Sequence, residues 1–166
     1  MLELMILSLK YLKVMTRINI IPVSELTDQH LIAEYREITM VPAALTRTLN
    51  SKSGFIKKKI PDRFTLNTGH VYFFYDKGLY LYNRYDNIVE EMILRGFNPD
   101  LKRVFPKDIF PFELFNDWTP TIEEQEIVRD RIREKISMKP NWYRKTRYDQ
   151  NLKYVIEKLM IDLCVI

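Results

Sequence analysis

The sequence predicts a mainly α-helical fold: a compact single domain of about three main helices with long loops, and a further helix suggested at the C terminus. A chain of 166 residues falls in the range of one domain. Its 46% of hydrophobic residues can form a core, and its 29% of charged residues can cover it. Apolar residues recur at helical spacing in several segments, whereas only residues 71–74 have the character of a buried strand.

The first predicted helix occupies residues 24–39. Its apolar residues follow the helical period, and either Ser24 or Thr27 is suited to the N-cap. Pro42 is expected to end or kink this helix, because proline lacks the backbone N–H that the helix interior needs. The polar and basic stretch 43–68 then predicts mostly loop after a short helical continuation.

The second predicted helix covers residues 70–94, where an apolar residue falls on nearly every turn. Gly96 is a plausible C-cap, while Gly78 weakens the case for a continuous helix. The Pro- and Phe-rich stretch 99–120 predicts a long connection.

The third predicted helix opens at Thr121, which is followed by several glutamates, and runs to about Ser137 before Pro140. Residues 152–163 place apolar side chains on one face and suggest a last helix.

Composition excludes several classes of protein. The single cysteine, Cys164, cannot support an internal disulfide framework or a cysteine-based zinc site. Two histidines, His30 and His70, leave little for a histidine-rich metal site. No apolar run reaches the roughly 20 residues of a membrane span. We therefore expect an intracellular protein without a metal or other cofactor and without a membrane partner.

The positive charge is concentrated in two segments. Net charge is +4, yet residues 47–63 carry six Lys or Arg against one Asp, and residues 129–148 carry eight against two acidic residues. Two basic segments on an otherwise acidic chain indicate a polyanion partner such as nucleic acid. Two solvated basic faces are the alternative, and charge alone does not decide between them.

Several strings of residues follow one another in a characteristic order: MTRIN at 15–19, VSEL at 23–26, DQHL at 28–31, AEYRE at 33–37, GHV at 69–71, FFYDK at 73–77, RGFN at 95–98, and Pro140 with Trp142 and Tyr143. Together they resemble the pyrimidine-dimer DNA glycosylase and abasic-site lyase family of the phage-type endonuclease V. The resemblance covers about residues 15–145.

The resemblance implies a small helical, metal-independent enzyme that bends duplex DNA at a cyclobutane pyrimidine dimer. Such an enzyme cuts the glycosyl bond of the 5′ pyrimidine and nicks the abasic strand by β-elimination. Its nucleophile is the α-amine of a threonine exposed by removal of the initiator Met, a position matched by Thr16. The family's catalytic glutamate matches Glu37. The implied partner is double-stranded DNA containing pyrimidine dimers or abasic sites, bound by a monomer in the cytoplasm, nucleoid or nucleus of the host cell.

The resemblance also assigns DNA contacts: Arg17 and Arg36 at phosphates around the lesion, Gln29 and His30 close by, Arg131 and Lys135 on the third helix, and Trp142 with Tyr143 in an aromatic tail. Residue by residue, simpler interpretations remain: a surface carboxylate for Glu37, a capping or packing role for His30, an ordinary basic helix face for Arg131 and Lys135, and packing at the edge of the core for Trp142 and Tyr143. His70 and the Phe-Phe-Tyr run after it are predicted as core.

The chain departs from the family pattern at its N terminus, where fourteen residues precede Met15. We expect translation to begin at Met15, because a peptide bond at Thr16 would abolish its amine. A genuine extension that blocks or regulates the enzyme is the alternative. The predicted organisation is an N-terminal extension at 1–14, a glycosylase domain at 15–148 and a C-terminal tail at 149–166.

A second departure is Met40, where the best-known member of the family has an arginine. Loss of that charged phosphate contact affects affinity and lesion preference more than the chemistry. Two alternatives to dimer excision therefore stay open: a glycosylase and abasic lyase for other base lesions, and a non-catalytic DNA-binding protein if the extension is retained.

Overall fold

The computed structural model describes residues 18–66 and 69–148 together with Tyr154. The fold is mainly helical, as predicted. Its α-helices are α1 (Asp28–Glu37), α2 (Met40–Leu49), α3 (His70–Phe73), α4 (Gly78–Leu94) and α5 (Ile122–Met138). The extension predicted at 1–14, the amphipathic stretch 152–163, Thr16 and Arg17 lie outside the described residues.

The first predicted helix is shorter than expected, and the chain after it is more helical. Thr27 is the N-cap of α1, since its hydroxyl accepts from the backbone N–H of His30. The break falls between Glu37 and Met40, and Pro42 lies in the first turn of α2, where a missing N–H costs little. The expected short helical continuation reaches Leu49, because its apolar residues are buried on one side of α2.

The second predicted helix is two helices. The chain leaves the helical conformation after Phe73 and re-enters it at Gly78, so residues 71–74 belong to a helical turn and not to a strand. A Cβ added to Gly78 would lie 2.7 Å from side-chain atoms of both Phe110 and Phe115. Glycine at this position therefore lets the start of α4 approach the long connection.

The long connection and the third predicted helix are confirmed. Residues 99–120 contain only two 3₁₀ turns, Lys107–Ile109 and Phe112–Leu114. At the start of α5, Thr121 accepts from the backbone N–H of Glu124 and the Glu124 side chain accepts from the backbone N–H of Thr121. This reciprocal capping explains why the predicted boundary is accurate.

Helix α1 packs against α4 at the centre of the molecule, and α2 packs against α3. The core is rich in aliphatic and aromatic side chains, of which the most deeply buried are Ile18, Leu26, Leu31, Ile38, Val41, Leu45, Phe74, Leu81, Ile88 and Val128. Burial of these side chains supplies most of the favourable folding free energy. Within the part of the chain that the structure describes, no helix has the length and hydropathy needed to cross a bilayer.

Replacing Gly78 with alanine should destabilise the protein by about 1–3 kcal/mol, because the added methyl group overlaps two aromatic rings. An Ala in the first turn of an unobstructed helix would instead stabilise it by up to about 1 kcal/mol. Urea unfolding measures the difference. Gly54→Ala is the comparison, since that position has open space but a positive φ, so it measures backbone strain without steric overlap. A Gly78→Ala midpoint at or above that of the unmodified protein would contradict the packing argument.

Candidate functional site

The first described residues form a buried N-terminal segment, residues 18–21, on which the site is built. All four of its side chains are at most 5% exposed. The backbone N–H of Ile18 donates to Nε2 of His70 at 3.1 Å, and the amide of Asn19 donates to Glu34 at 2.9 Å. The carbonyl of Ile21 accepts from Arg84 at 2.8 Å. Three separate elements therefore fix the chain that leads away from Thr16.

Glu34 and Arg84 form a buried ion pair between α1 and α4. Nε and Nη2 of Arg84 both donate to the Glu34 carboxylate, whose side chain has no exposed surface. Although burial opposes the charged form, the carboxylate of Glu34 raises the pKa of Arg84 above its ordinary value. Burial raises the pKa of the Glu34 carboxyl, whereas the bonds from Arg84 and Asn19 favour its charged form. The pair joins the N-terminal segment to both helices.

His70 lies in the core, as predicted, and is only 3% exposed. Its Nδ1 is 2.6 Å from the carbonyl oxygen of Thr65, while its Nε2 accepts from Ile18. Burial lowers the pKa of His70 to about 4, with a smaller contribution from the positive charge of Arg131. The ring is therefore neutral at physiological pH.

Glu37 is the last residue of α1 and is half-buried. It follows Glu34 by three residues, so the two carboxylates lie about one turn apart on neighbouring faces of the helix. Arg103, on the long connection, donates to the carbonyl of Arg36 and to the hydroxyl of Thr39, both at 2.7 Å. This guanidinium satisfies a carbonyl at the C-terminal end of α1, where a cation also suits the helix dipole.

The other end of α1 holds a C-terminal segment, residues 142–148. The side chain of Gln29 donates to the carbonyl of Trp142 and accepts from the backbone N–H of Arg144. The ring of His30 stacks on Tyr143, with centroids 4.8 Å apart and planes 6° from parallel. The imidazole also pairs with the N-cap hydroxyl of Thr27 at 2.7 Å.

A second cluster of buried charged residues binds the C-terminal segment. Arg95 donates to Asp28 and Glu91, and Asp28 also accepts from the backbone N–H and the hydroxyl of Thr146. Although burial favours the neutral form, the bonds from Thr146 and Arg95 hold the pKa of Asp28 below its ordinary value. Tyr148 extends the cluster by donating to Glu91.

The cations of α5 divide into two groups. Arg129 pairs with Glu25 and Glu126, and Arg133 pairs with Asp130 and Glu126, which reduces the net charge that this helix offers to a polyanion. The two residues predicted to contact DNA, Arg131 and Lys135, are half-buried and lie four apart on α5. Arg131 lies close enough to His70 to lower its pKa.

The basic segment 47–63 is largely exposed, including Lys57, Lys58 and Lys59. Arg47 and Lys59 line a depression of about 400 Å³ together with Tyr72 and Tyr75. Exposed cations around a concave surface are suited to phosphate groups.

The predicted site residues thus form two groups along α1. Gln29, His30, Trp142 and Tyr143 meet at its N-terminal end, and Arg36 with Glu37 lies at its C-terminal end, about 10 Å away by helical rise. Trp142 is 63% exposed, whereas Tyr143 is half-buried on His30. For these residues, both the predicted DNA contacts and the alternative packing roles stay predictions. His30 and Tyr143 do pack on each other in the structure.

Sequence reasoning missed the residues that hold the two terminal segments and the C-terminal end of α1: Asn19, Glu34, Arg84, Asp28, Arg95, Arg103, Thr146 and Tyr148. Apart from Arg95 and Glu91, which are four residues apart, the partners are 15 to 118 residues away in the chain. No local spacing signals such pairs. The arginines within apolar helical stretches were the available clue, because a buried arginine requires a partner.

The helical fold, the basic surfaces and the exposed aromatic ring next to α1 are typical of a protein that binds nucleic acid. The family model described as pyrimidine dimer DNA glycosylase matches residues 15–104, which include Thr16, Arg17, Gln29, His30, Arg36 and Glu37. The chain belongs to this family. It is therefore a DNA repair glycosylase that acts on DNA.

Removing one partner of the buried ion pair with Arg84→Met should lower the free energy of unfolding by about 3–5 kcal/mol, because Glu34 would stay buried without its counter-ion. Arg133→Met is the matched control. It removes a surface arginine that is also ion-paired and should cost less than about 1 kcal/mol. Chemical denaturation compares the two, and equal losses would refute a special role for the buried pair.

The depressed pKa of His70 predicts a loss of stability in acid. The unfolded chain takes up a proton near pH 6.5, whereas folded His70 does so only near pH 4, so the unfolded state binds more protons within that window. The contribution of His70 is complete above pH 6.5 and falls as pH drops towards 4. By pH 5 the loss should be on the order of 2 kcal/mol.

Urea unfolding of the unmodified protein and of His70→Gln at pH 7, 6 and 5 checks this expectation. The unmodified protein should lose stability more steeply than the variant, which has no imidazole at this position. Parallel curves would show that other groups cause the acid sensitivity.

Proposed function

We propose that this protein excises the 5′ base of cyclobutane pyrimidine dimers through an imine formed by the α-amine of Thr16, and then nicks the abasic strand by β-elimination. The observation that carries the proposal is the anchoring of the N-terminal segment beside α1. Asn19 is bonded to Glu34, one helical turn before Glu37. Ile18, which follows Thr16 by two residues in the sequence, is held by His70.

The α-amine of a chain is a suitable nucleophile at neutral pH. Its pKa lies near 8, against about 10.4 for a lysine side chain, so a useful fraction is unprotonated without burial. The neutral nitrogen attacks C1′ of the damaged nucleotide, the glycosyl bond breaks and its electron pair leaves with the base. The sugar ring then opens at the C1′–O4′ bond as a proton passes from the nitrogen to O4′, which leaves an imine between the nitrogen and C1′. This imine acidifies the C2′ proton, and removal of that proton expels the 3′ phosphate.

Glu37 is the carboxylate assigned to this chemistry. Its negative charge stabilises the cationic sugar as the glycosyl bond breaks, and its oxygens can accept and return protons during elimination. Arg103 supports the assignment, because its bonds to the carbonyl of Arg36 and the side-chain hydroxyl of Thr39 hold the end of α1 on which Glu37 lies. A carboxylate on a restrained helix end needs less ordering when the substrate binds.

The DNA duplex is held by the cationic and aromatic residues. We assign Arg17 and Arg36 to phosphates around the lesion, Arg131 and Lys135 to phosphates along α5, and Gln29, His30, Trp142 and Tyr143 to the surface beside the lesion. The exposed Trp142 ring can stack on a base, and the bond that Gln29 donates to the carbonyl of Trp142 holds its backbone in place. The protein acts as a monomer on duplexes that contain dimers or abasic sites.

Borohydride trapping on UV-irradiated duplex tests the chemistry directly, since reduction converts an imine into a stable amine. The full chain is compared with protein begun at Met15, whose first residue after methionine removal is Thr16. A covalent protein–DNA band from the Met15 version alone is the expected result, because a peptide bond at Thr16 leaves no amine. A band of equal strength from both versions would assign the imine to another amine.

Glu37→Gln separates binding from chemistry. The variant should bind the duplex as tightly as the unmodified protein but lose nicking by a factor of at least about 100, as expected when a general acid–base group is removed. Glu90→Gln is the control, since Glu90 is an exposed carboxylate on α4 that has no assigned role. Nicking by Glu37→Gln at the unmodified rate would remove Glu37 from the mechanism.

One observation favours a second candidate, a glycosylase and abasic lyase for other base lesions. Met40 is 41% exposed at the start of α2, three residues after Glu37, and offers no charge to a phosphate at this position. Comparing cleavage of dimer-containing and oxidised-base duplexes separates the two. Retention of residues 1–14 would instead leave a DNA-binding protein that shows salt-sensitive binding without nicking.

A further inference from the structure

We propose that His70 is a positioning residue for the amine: its ring clamps the backbone of Ile18 and thereby sets where the chain places the α-amine of Thr16. This inference rests on the proposed function, because it concerns the same amine. His70 itself touches no reacting atom in this scheme. Its role is carried out through one backbone hydrogen bond, two residues from the nucleophile.

Both ring nitrogens of His70 are bonded to backbone groups, and only one tautomer satisfies both bonds. The carbonyl oxygen of Thr65, 2.6 Å from Nδ1, can only accept, so Nδ1 carries the proton. Nε2 then presents a lone pair, which accepts the N–H of Ile18 at 3.1 Å. The ring thus bridges the chain just before α3 and the N-terminal segment.

The surroundings of the ring fix its orientation and its charge. Phe64 and Phe74 pack edge-on to the imidazole, with centroids 5.4 and 5.3 Å away. Arg131 is the charged group that acts on it, and a second positive charge on the ring would be repelled. A protonated Nε2 would also be a donor and would face the N–H donor of Ile18. The clamp therefore requires a neutral histidine.

The Ile18 bond differs in kind from the other anchors of the N-terminal segment. Asn19 is held by its side chain and Ile21 by its carbonyl, whereas His70 holds the backbone N–H of Ile18, the first of the described residues. Covalent catalysis by an amine depends on where its nitrogen lies, and a displacement of 1 Å can cost about 100-fold in rate. Loss of this bond should therefore slow imine formation more than it weakens DNA binding.

The test measures the single-turnover rate of borohydride trapping on a duplex with a preformed abasic site, with protein in saturating excess over the duplex. It uses whichever form of the chain, full-length or begun at Met15, gives a trapped band. His70→Phe keeps an aromatic ring and removes the acceptor, and it should slow trapping by at least about tenfold while the Kd for the duplex changes less than about twofold. His70→Gln retains an acceptor oxygen and should recover most of the rate. Leu114→Ala, a core substitution in the long connection, should lower the melting temperature without slowing trapping.

The outcomes distinguish this inference from the proposed function. If the unmodified protein traps and His70→Phe traps equally fast, His70 only stabilises the fold and the inference is overturned. If the unmodified protein forms no imine, the amine chemistry fails and the inference fails with it.

A measurement on the unmodified protein covers the case in which His70→Phe does not fold. Nitrogen NMR of the imidazole should show the Nδ1-protonated tautomer and no titration until about pH 4. The opposite tautomer, or titration near the ordinary pKa of 6.5, would overturn the clamp.

Discussion

The buried ion pair of Glu34 and Arg84 is the interaction on which the site depends. Its carboxylate receives two bonds from the guanidinium and one from Asn19, while the same guanidinium holds the carbonyl of Ile21. Desolvation of two charges is expensive, and their attraction offsets that cost only when each remaining hydrogen-bonding group is also satisfied. The N-terminal segment supplies those groups. A correctly seated N-terminal segment is therefore a condition for the stability of the pair.

Helix α1 carries out two tasks at different points along its length. Its first turn holds the C-terminal segment through Asp28, Gln29 and His30, and its later turns hold the N-terminal segment through Glu34 and present Glu37. Segments from the two ends of the described chain thus meet on one helix. One helix therefore holds both segments and also carries Glu37 at its C-terminal end.

Features of the fold that depend on interactions between residues close in sequence could be predicted, and those that depend on residues distant in sequence could not. The start of α5 was predicted because a Thr–Glu capping box is local, and the same applies to Thr27 at the start of α1. The need for glycine at residue 78 was not predicted, because it arises from the approach of Phe110 and Phe115 from a distant part of the chain. Helix α2 extended further than expected, since the burial of Val41 and Leu45 outweighs the polar character of the sequence around them.

By itself the sequence determined the helical class, the family and the residues to consider for chemistry, because these depend on composition, local periodicity and ordered strings of residues. Only the tertiary structure decided how the chain leading from Thr16 is held, since His70, Glu34 and Arg84 act on it across 15 to 63 residues of chain. Buried polar groups must find partners wherever the fold brings them. The identity of those partners is therefore a property of packing in three dimensions, which the spacing of residues along the chain does not encode.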